Sequence, residues 1–146
     1  QRMLQKYSHF TSCDLDDDGK NEILVLKTGF AETNNTASIF ELDENGIPVN
    51  YSQKIVGEAT AYSEDNITAC GLPTIEGRIA VNPKQFPYGT KLFIRSVDGS
   101  YIYGYAVAAD TGGFVKNGKT ICDLYFNTES QCINFGRRDV EIYVLN

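Results

Sequence analysis

No stretch of this chain carries a sustained apolar repeat of ~3.6 residues, the mark of an amphipathic helix. That absence limits the fold more than any other feature of the 146 residues. From residue 59 onward, short apolar runs alternate with turn residues instead. The runs cover 59–62, 78–81, 91–95, 101–109, 121–126 and 140–145. Between them stand Asn82-Pro83, Pro87-Tyr88-Gly89, Asp98-Gly99, Gly112-Gly113 and Asn117-Gly118. Six short strands punctuated by Gly and Pro turns predict a mainly β chain closed into a small barrel. Residues 128–135 read as a short helix with Thr128 as its N-cap.

The N-terminal part differs in charge. Residues 1–58 hold ten Asp/Glu against five Lys/Arg, and residues 59–146 hold nine against eight. Two regions are expected: a small acidic one over 1–57 and a barrel domain over 58–146. Residues 2–7 read as a short helix. Residues 22–27 and 37–42 read as strands, the second ending in the turn Asp43-Glu44-Asn45-Gly46. Such a β-hairpin is too small to hold its own core and should pack on the barrel domain.

Composition excludes several functions. The net charge of −6 argues against nucleic acid, whose binding rests on Lys and Arg neutralising phosphates. No apolar run approaches the ~18 residues of a membrane span. A chain beginning at Gln1 with no signal peptide is expected to be a mature form or a fragment. His9 is its single histidine, which disfavours Ser-His-Asp or Cys-His catalysis and histidine-rich metal sites. Acid–base chemistry is left to carboxylates, Lys, Tyr or Cys. Cys13, Cys70, Cys122 and Cys132 show no zinc spacing, and both disulfides and buried free thiols fit them.

Three segments bear chemistry. Asp14-Leu15-Asp16-Asp17-Asp18-Gly19-Lys20-Asn21-Glu22 sets oxygen ligands at positions 1, 3, 5 and 9, with glycine at 6 for the sharp turn, as hard Ca2+ prefers. Asp14, Asp16, Asp18, the Lys20 carbonyl and Glu22 would hold it, and Val25 stands where an EF-hand has its bidentate Glu. The segment resembles the DxDxDG loops of propeller-type and integrin-like repeats, which makes any Ca2+ structural. Ala108-Ala109-Asp110-Thr111-Gly112-Gly113 contains the Asp-Thr-Gly of aspartic proteases, but only one copy, where two are needed. In Ile121-Cys122-Asp123-Leu124-Tyr125-Phe126, alternation sets Asp123 beside Ile121 and Tyr125. An aliphatic and an aromatic neighbour raise a carboxyl pKa. Cys122 shares the opposite face with Leu124 and Phe126.

Taken in order, these segments resemble the 3D (Asp-Asp-Asp) domain family, related to the catalytic domain of membrane-bound lytic transglycosylase A. The resemblance runs through Thr60-Ala61-Tyr62 and Gly77-Arg78-Ile79-Ala80-Val81-Asn82-Pro83. It continues in Phe86-Pro87-Tyr88-Gly89-Thr90-Lys91-Leu92-Phe93-Ile94 and Ala109-Asp110-Thr111-Gly112-Gly113. Cys122-Asp123-Leu124-Tyr125-Phe126 and Phe135-Gly136-Arg137-Arg138-Asp139-Val140 complete it. The resemblance implies a six-stranded double-psi β-barrel that cleaves peptidoglycan glycan strands. One departure stands out: the family's first Asp precedes Pro, where this chain has Asn82. The turn between Asp110 and Asp123 is also longer than usual, through Lys116-Asn117-Gly118-Lys119-Thr120.

The implied reaction is that of a lytic transglycosylase. The C6 hydroxyl of a muramic acid sugar attacks its own anomeric carbon and leaves a 1,6-anhydro end. One carboxyl group protonates the leaving oxygen and then takes the hydroxyl proton, and no cofactor is needed. Asp123 matches the acid/base position, and Asp110 would raise its pKa or orient the sugar. Gly112 and Gly113 would allow close backbone approach. Tyr62 and Tyr125 would offer stacking surfaces, and Asn82 a hydrogen-bond partner. The expected protein is a monomer of the bacterial cell wall or exterior. The alternative is a module of the same fold that grips glycan without cleaving it.

Overall fold

The computed structural model describes residues 10–13, 22–25, 38–64 and 66–145. Three short strands come first: β1 (Phe10–Cys13), β2 (Glu22–Val25) and β3 (Ser38–Glu41). They form one antiparallel sheet in the order β1-β2-β3. The expected antiparallel pair is present as β2 and β3, and β1 adds a third strand to it. The strand missed, Phe-Thr-Ser-Cys, has four residues and too little apolar pattern to announce itself. The expected helix over 2–7 lies outside the described residues.

Six barrel strands come next: β4 (Tyr51–Tyr62), β5 (Arg78–Val81), β6 (Lys91–Ser96), β7 (Ile102–Asp110), β8 (Thr120–Tyr125) and β9 (Arg138–Leu145). They close into a ring in the order β4-β8-β5-β7-β6-β9. β4 pairs with β8, and β5 with β7, in parallel; the other four pairings are antiparallel. This is the six-stranded barrel that the runs and turns predict. β4 starts at Tyr51 rather than Ala59 and passes unbroken through Gly57. A Cβ on Gly57 would stand 2.6 Å from the Ile121 side chain, so close strand packing explains this glycine.

Alternation explains why several strands are apolar throughout. Ile79, Val81, Leu92, Ile94, Ala106, Ala108, Cys122, Leu124, Val140 and Ile142 fill the interior. The opposite faces of β6, β7 and β9 carry Phe93, Tyr105, Val107 and Tyr143, which bury a second cluster with Phe40 of β3. Phe40 lies 5.9 Å from Tyr105 and 5.8 Å from Phe93 between ring centres. The small sheet thus docks on the barrel through an aromatic contact, as its size requires.

Helix α1 (Glu129–Phe135) begins where expected. Thr128 and Gln131 form a reciprocal capping box, which satisfies two backbone donors that a helix start otherwise leaves unpaired. Phe135 at its end is buried in the interior cluster. The long turn before β8 is a 3-10 helix, Gly113–Asn117, ended by Gly118 at φ 69°. Cys70, Cys122 and Cys132 are free thiols. Among the described residues, no helix is long and apolar enough to cross a membrane.

Candidate active site

The strand order explains how distant segments meet. β5 lies between β8 and β7, and its Ala80 pairs with Asp123 on one side and Asp110 on the other. On the far side of β8, Thr60 of β4 pairs with Asp123. Thr60, Asp123, Ala80 and Asp110 therefore form one row across four neighbouring strands. Their sequence neighbours Ala59, Ile79, Val81, Cys122 and Leu124 fill the interior. By alternation Thr60, Asp123 and Ala80 lie on the outer face of the barrel, and a bulge that skips Ala109 brings Asp110, of the same parity as the interior Ala106 and Ala108, into their row. Ala80, with the smallest apolar side chain, separates the two aspartates.

The aspartates differ in their partners. Asp123 is half-buried, and its Oδ1 accepts a 2.9 Å hydrogen bond from the Thr60 hydroxyl. Burial pushes its carboxyl above the ordinary aspartate range. The Thr60 bond and the Arg137 charge pull it down, and the Asp110 charge pushes it up. Asp110 is buried, and three donors reach it. The Tyr62 hydroxyl donates to Oδ2 at 3.0 Å, and the Ala69 and Thr111 amides donate to Oδ1 at 2.8 and 2.9 Å. All three contacts use Asp110 as an acceptor, the role of a carboxylate. It ties the loop after β4 to the end of β7, helped by the bond from the Cys70 amide to the Ala109 carbonyl.

Tyr62 spans the site. Its backbone pairs with Tyr125 on β8, its ring meets the Tyr125 ring edge-on at 5.4 Å, and its hydroxyl reaches Asp110 on β7. Tyr62 stays partly exposed, whereas Tyr125 is buried at 8 % exposure and offers a ligand little surface. Gly112 and Gly113 are exposed just beyond Asp110. Gly112 is extended, so its φ does not demand glycine, but a Cβ there would press on the Phe114 ring at 3.3 Å. Burial also raises the Cys70 thiol and the Tyr88 hydroxyl, and the Asp110 charge adds to both.

Asn82 follows β5 and serves a turn. Its side-chain oxygen accepts from the Lys84 amide at 3.0 Å, and its carbonyl accepts from the Gln85 and Phe86 amides. One acceptor oxygen suffices for that turn, and Asn supplies it as Asp would. A cleft of about 580 Å3 opens beyond Tyr62, lined also by Ala61, Ser63, Glu64, Glu129, Cys132 and Ile133. Neither aspartate lines it.

Sequence reasoning missed Thr60 as a partner of Asp123. The polar alternation Thr60, Tyr62 against Ala59, Ala61 marks the face, but the parallel register with β8 does not show in the sequence. It also missed the Ala69 amide. Of the calcium segment, Asp14, Asp16, Asp18 and Lys20 lie outside the described residues. Glu22 opens β2 and pairs with both Cys13 and Glu41.

Residues 78–146 match the family model described as the 3D domain. Two curated relatives come from Bacillus subtilis strain 168. The cell wall-binding protein YocH is 33 % identical over 104 residues, covering 65 % of this chain and 33 % of its own. A protein named for cell wall shaping, YabE, is 38 % identical over 68 residues, covering 47 % of this chain and 15 % of its own. The chain thus spans a third or less of these relatives.

Proposed function

We propose that the chain, whose residues 78–146 match the 3D domain family model, is a lytic transglycosylase of the bacterial cell wall, with Asp123 as its single general acid/base. The observation that carries this reading is Asp123 itself. It is a half-buried carboxyl with its pKa raised, held by one hydroxyl, on an outer barrel face. A raised pKa keeps a carboxyl protonated at the pH where it must donate, which suits a general acid.

The reaction then needs few parts. Asp123 gives its proton to the leaving oxygen as the bond to the anomeric carbon breaks. The C6 hydroxyl of the same muramic acid residue closes on that carbon and yields its proton to the Asp123 carboxylate. The intramolecular nucleophile supplies the proximity that a hydrolase must arrange for water. Thr60 orients the carboxyl, and Asp110 organises Tyr62 and the loop through Ala69 around it. Tyr62 is the better placed of the two tyrosines to meet a sugar. Peptidoglycan glycan strands are the substrate, and the protein acts as a monomer at the cell wall.

A second reading is favoured by the name of one relative, a cell wall-binding protein. It makes this barrel a glycan-binding module without turnover. Mass spectrometry of purified peptidoglycan after incubation separates the two. Release of 1,6-anhydro-muropeptides, lost ~10²–10⁴-fold in Asp123→Asn, supports the enzyme. Sedimentation with peptidoglycan and no release supports the binder.

A further inference from the structure

Beside Asp123, two cations share one carboxylate. Glu58 stands two residues before Thr60 on β4. Arg137 Nη1 lies 2.6 Å from Glu58 Oε1, and Lys119 Nζ lies 3.5 Å from Oε2. The Thr120 hydroxyl donates to Oε1 at 3.0 Å. Burial alone would raise the Glu58 carboxyl, but these bonds and charges outweigh it and hold it below the ordinary range. Glu58 is therefore an anion, and the trio keeps one net positive charge on a chain of net −6.

Arg137 and Lys119 are mostly exposed, with side chains 58 % and 74 % accessible, whereas Glu58 is 11 % accessible. A ligand carboxylate can therefore reach the cations without unpacking the barrel. The exchange is also cheap for Glu58, because Thr120 and Lys119 remain its partners when Arg137 turns away. The planar guanidinium fork grips a carboxylate through two parallel bonds. The position is adjacent to the chemistry, since Glu58 pairs with Thr120 on the same two strands where Thr60 pairs with Asp123.

We infer that Arg137 and Lys119 form a carboxylate-binding subsite that holds the free lactyl carboxylate of a stem-free muramic acid residue being cleaved. This rests on the glycan-strand reading above. Where a stem peptide is attached, that carboxyl is a neutral amide, so the subsite selects stem-free strands; in these only the muramic acid sugar carries a carboxylate, and a single one neutralises the trio. Binding also cancels the cation that pulls the Asp123 carboxyl down, so the acid gains protonation as substrate arrives.

The test is a binding comparison in the Asp123→Asn background, which avoids turnover. The probes are glycan strands stripped of peptide, which alternate muramoyl carboxylate and neutral sugar, and chitin oligomers of equal length, which have no carboxylate. Calorimetry should show the muramoyl strand binding about tenfold tighter, the scale of a hydrogen bond to a charged group. Arg137→Gln should bring the two ligands to within about twofold of each other, with Arg137→Lys between. Glu58→Gln keeps the Thr120 bond, frees Arg137 and should widen the preference. Raising salt from about 0.05 to 0.5 M should shrink it. An unchanged preference in Arg137→Gln, a narrowed one in Glu58→Gln, or no binding of either ligand overturns the subsite. If the preference follows Arg137 while the unmutated protein releases no anhydro product, the lytic reading fails and the subsite stands.

Discussion

Asp123 and Asp110 are both carboxylates of one short barrel row, yet their partners give them different surroundings. Asp123 has one side-chain donor and a carboxyl raised chiefly by burial, while Asp110 takes three donors. The proposed reaction needs Asp123 in its acid form, so product release should fall as pH rises through its raised pKa. The Asp110 charge is one cause of that rise. Asp110→Asn should therefore move the falling limb of the pH–rate profile to lower pH, besides weakening the Tyr62 and loop contacts. A limb that stays in place would remove Asp110 from the electrostatics of the site. Stability runs the same way. A raised folded-state pKa favours the folded form below the ordinary aspartate pKa, and that contribution is lost as pH rises through the folded value. Asp123→Asn should thus melt a few degrees higher than the unmutated protein at pH 7, with the gap closing below about pH 4. The place of Asp123 is legible from the alternation of residues 121–126. The ties of Asp110 to Ala69 and Tyr62 are not, because they join segments that only the strand order brings together.

At the level of elements, local signals translate well and exposed ones poorly. Thr128 and Gln131 lie three residues apart, so the start of α1 can be read directly, and the capping box is present. The sequence pattern makes β4 too short because its first eight residues, Tyr-Ser-Gln-Lys-Ile-Val-Gly-Glu, are largely exposed and lack a clean alternation. Gly57 resembles a boundary, but it lies mid-strand against Ile121. Gly57→Ala should lower unfolding free energy by about 1–3 kcal/mol, the usual range for overpacking. Denaturant titration of Gly57→Ala with Ile121→Ala should recover part of that loss, since the two side chains compete for one space. An additive double mutant would show that the cost lies elsewhere.

For the whole molecule, the number of barrel strands is legible and their order is not. Runs and turns count strands, whereas the order β4-β8-β5-β7-β6-β9 depends on two parallel pairings between segments far apart in sequence. The family match begins at residue 78, but the ring needs β4, which ends at Tyr62. A fragment of residues 78–146 would leave β8 and β9 with open edges and lose Thr60 and Tyr62. Open edges template association, so the fragment should lose the cooperative thermal transition and aggregate, as circular dichroism and light scattering would show. The calcium expected in the Asp14–Glu22 segment makes a separate prediction. Its flanking residues Cys13 and Glu22 are cross-strand partners, so an ion in the Asp14–Glu22 segment would brace the small sheet. Chelation should lower the melting temperature by mass action, with ~2.7 kcal/mol at stake when calcium exceeds its Kd a hundredfold. Anhydro-product release should change little. Identical melting curves with calcium and chelator would remove the ion.

The seam between β4 and β9 also sets a timetable. These are the first and last barrel strands in chain order, and they pair along most of their length, from Tyr51 with Leu145 to Ala59 with Arg138. A growing chain on the ribosome makes β4 early and must wait for nearly the whole barrel before its partner exists. Folding therefore cannot finish piecemeal behind the exit tunnel. Because the closing contacts span so much sequence, the search for them belongs to the slow regime of about milliseconds to seconds. Until then the nascent barrel stays open.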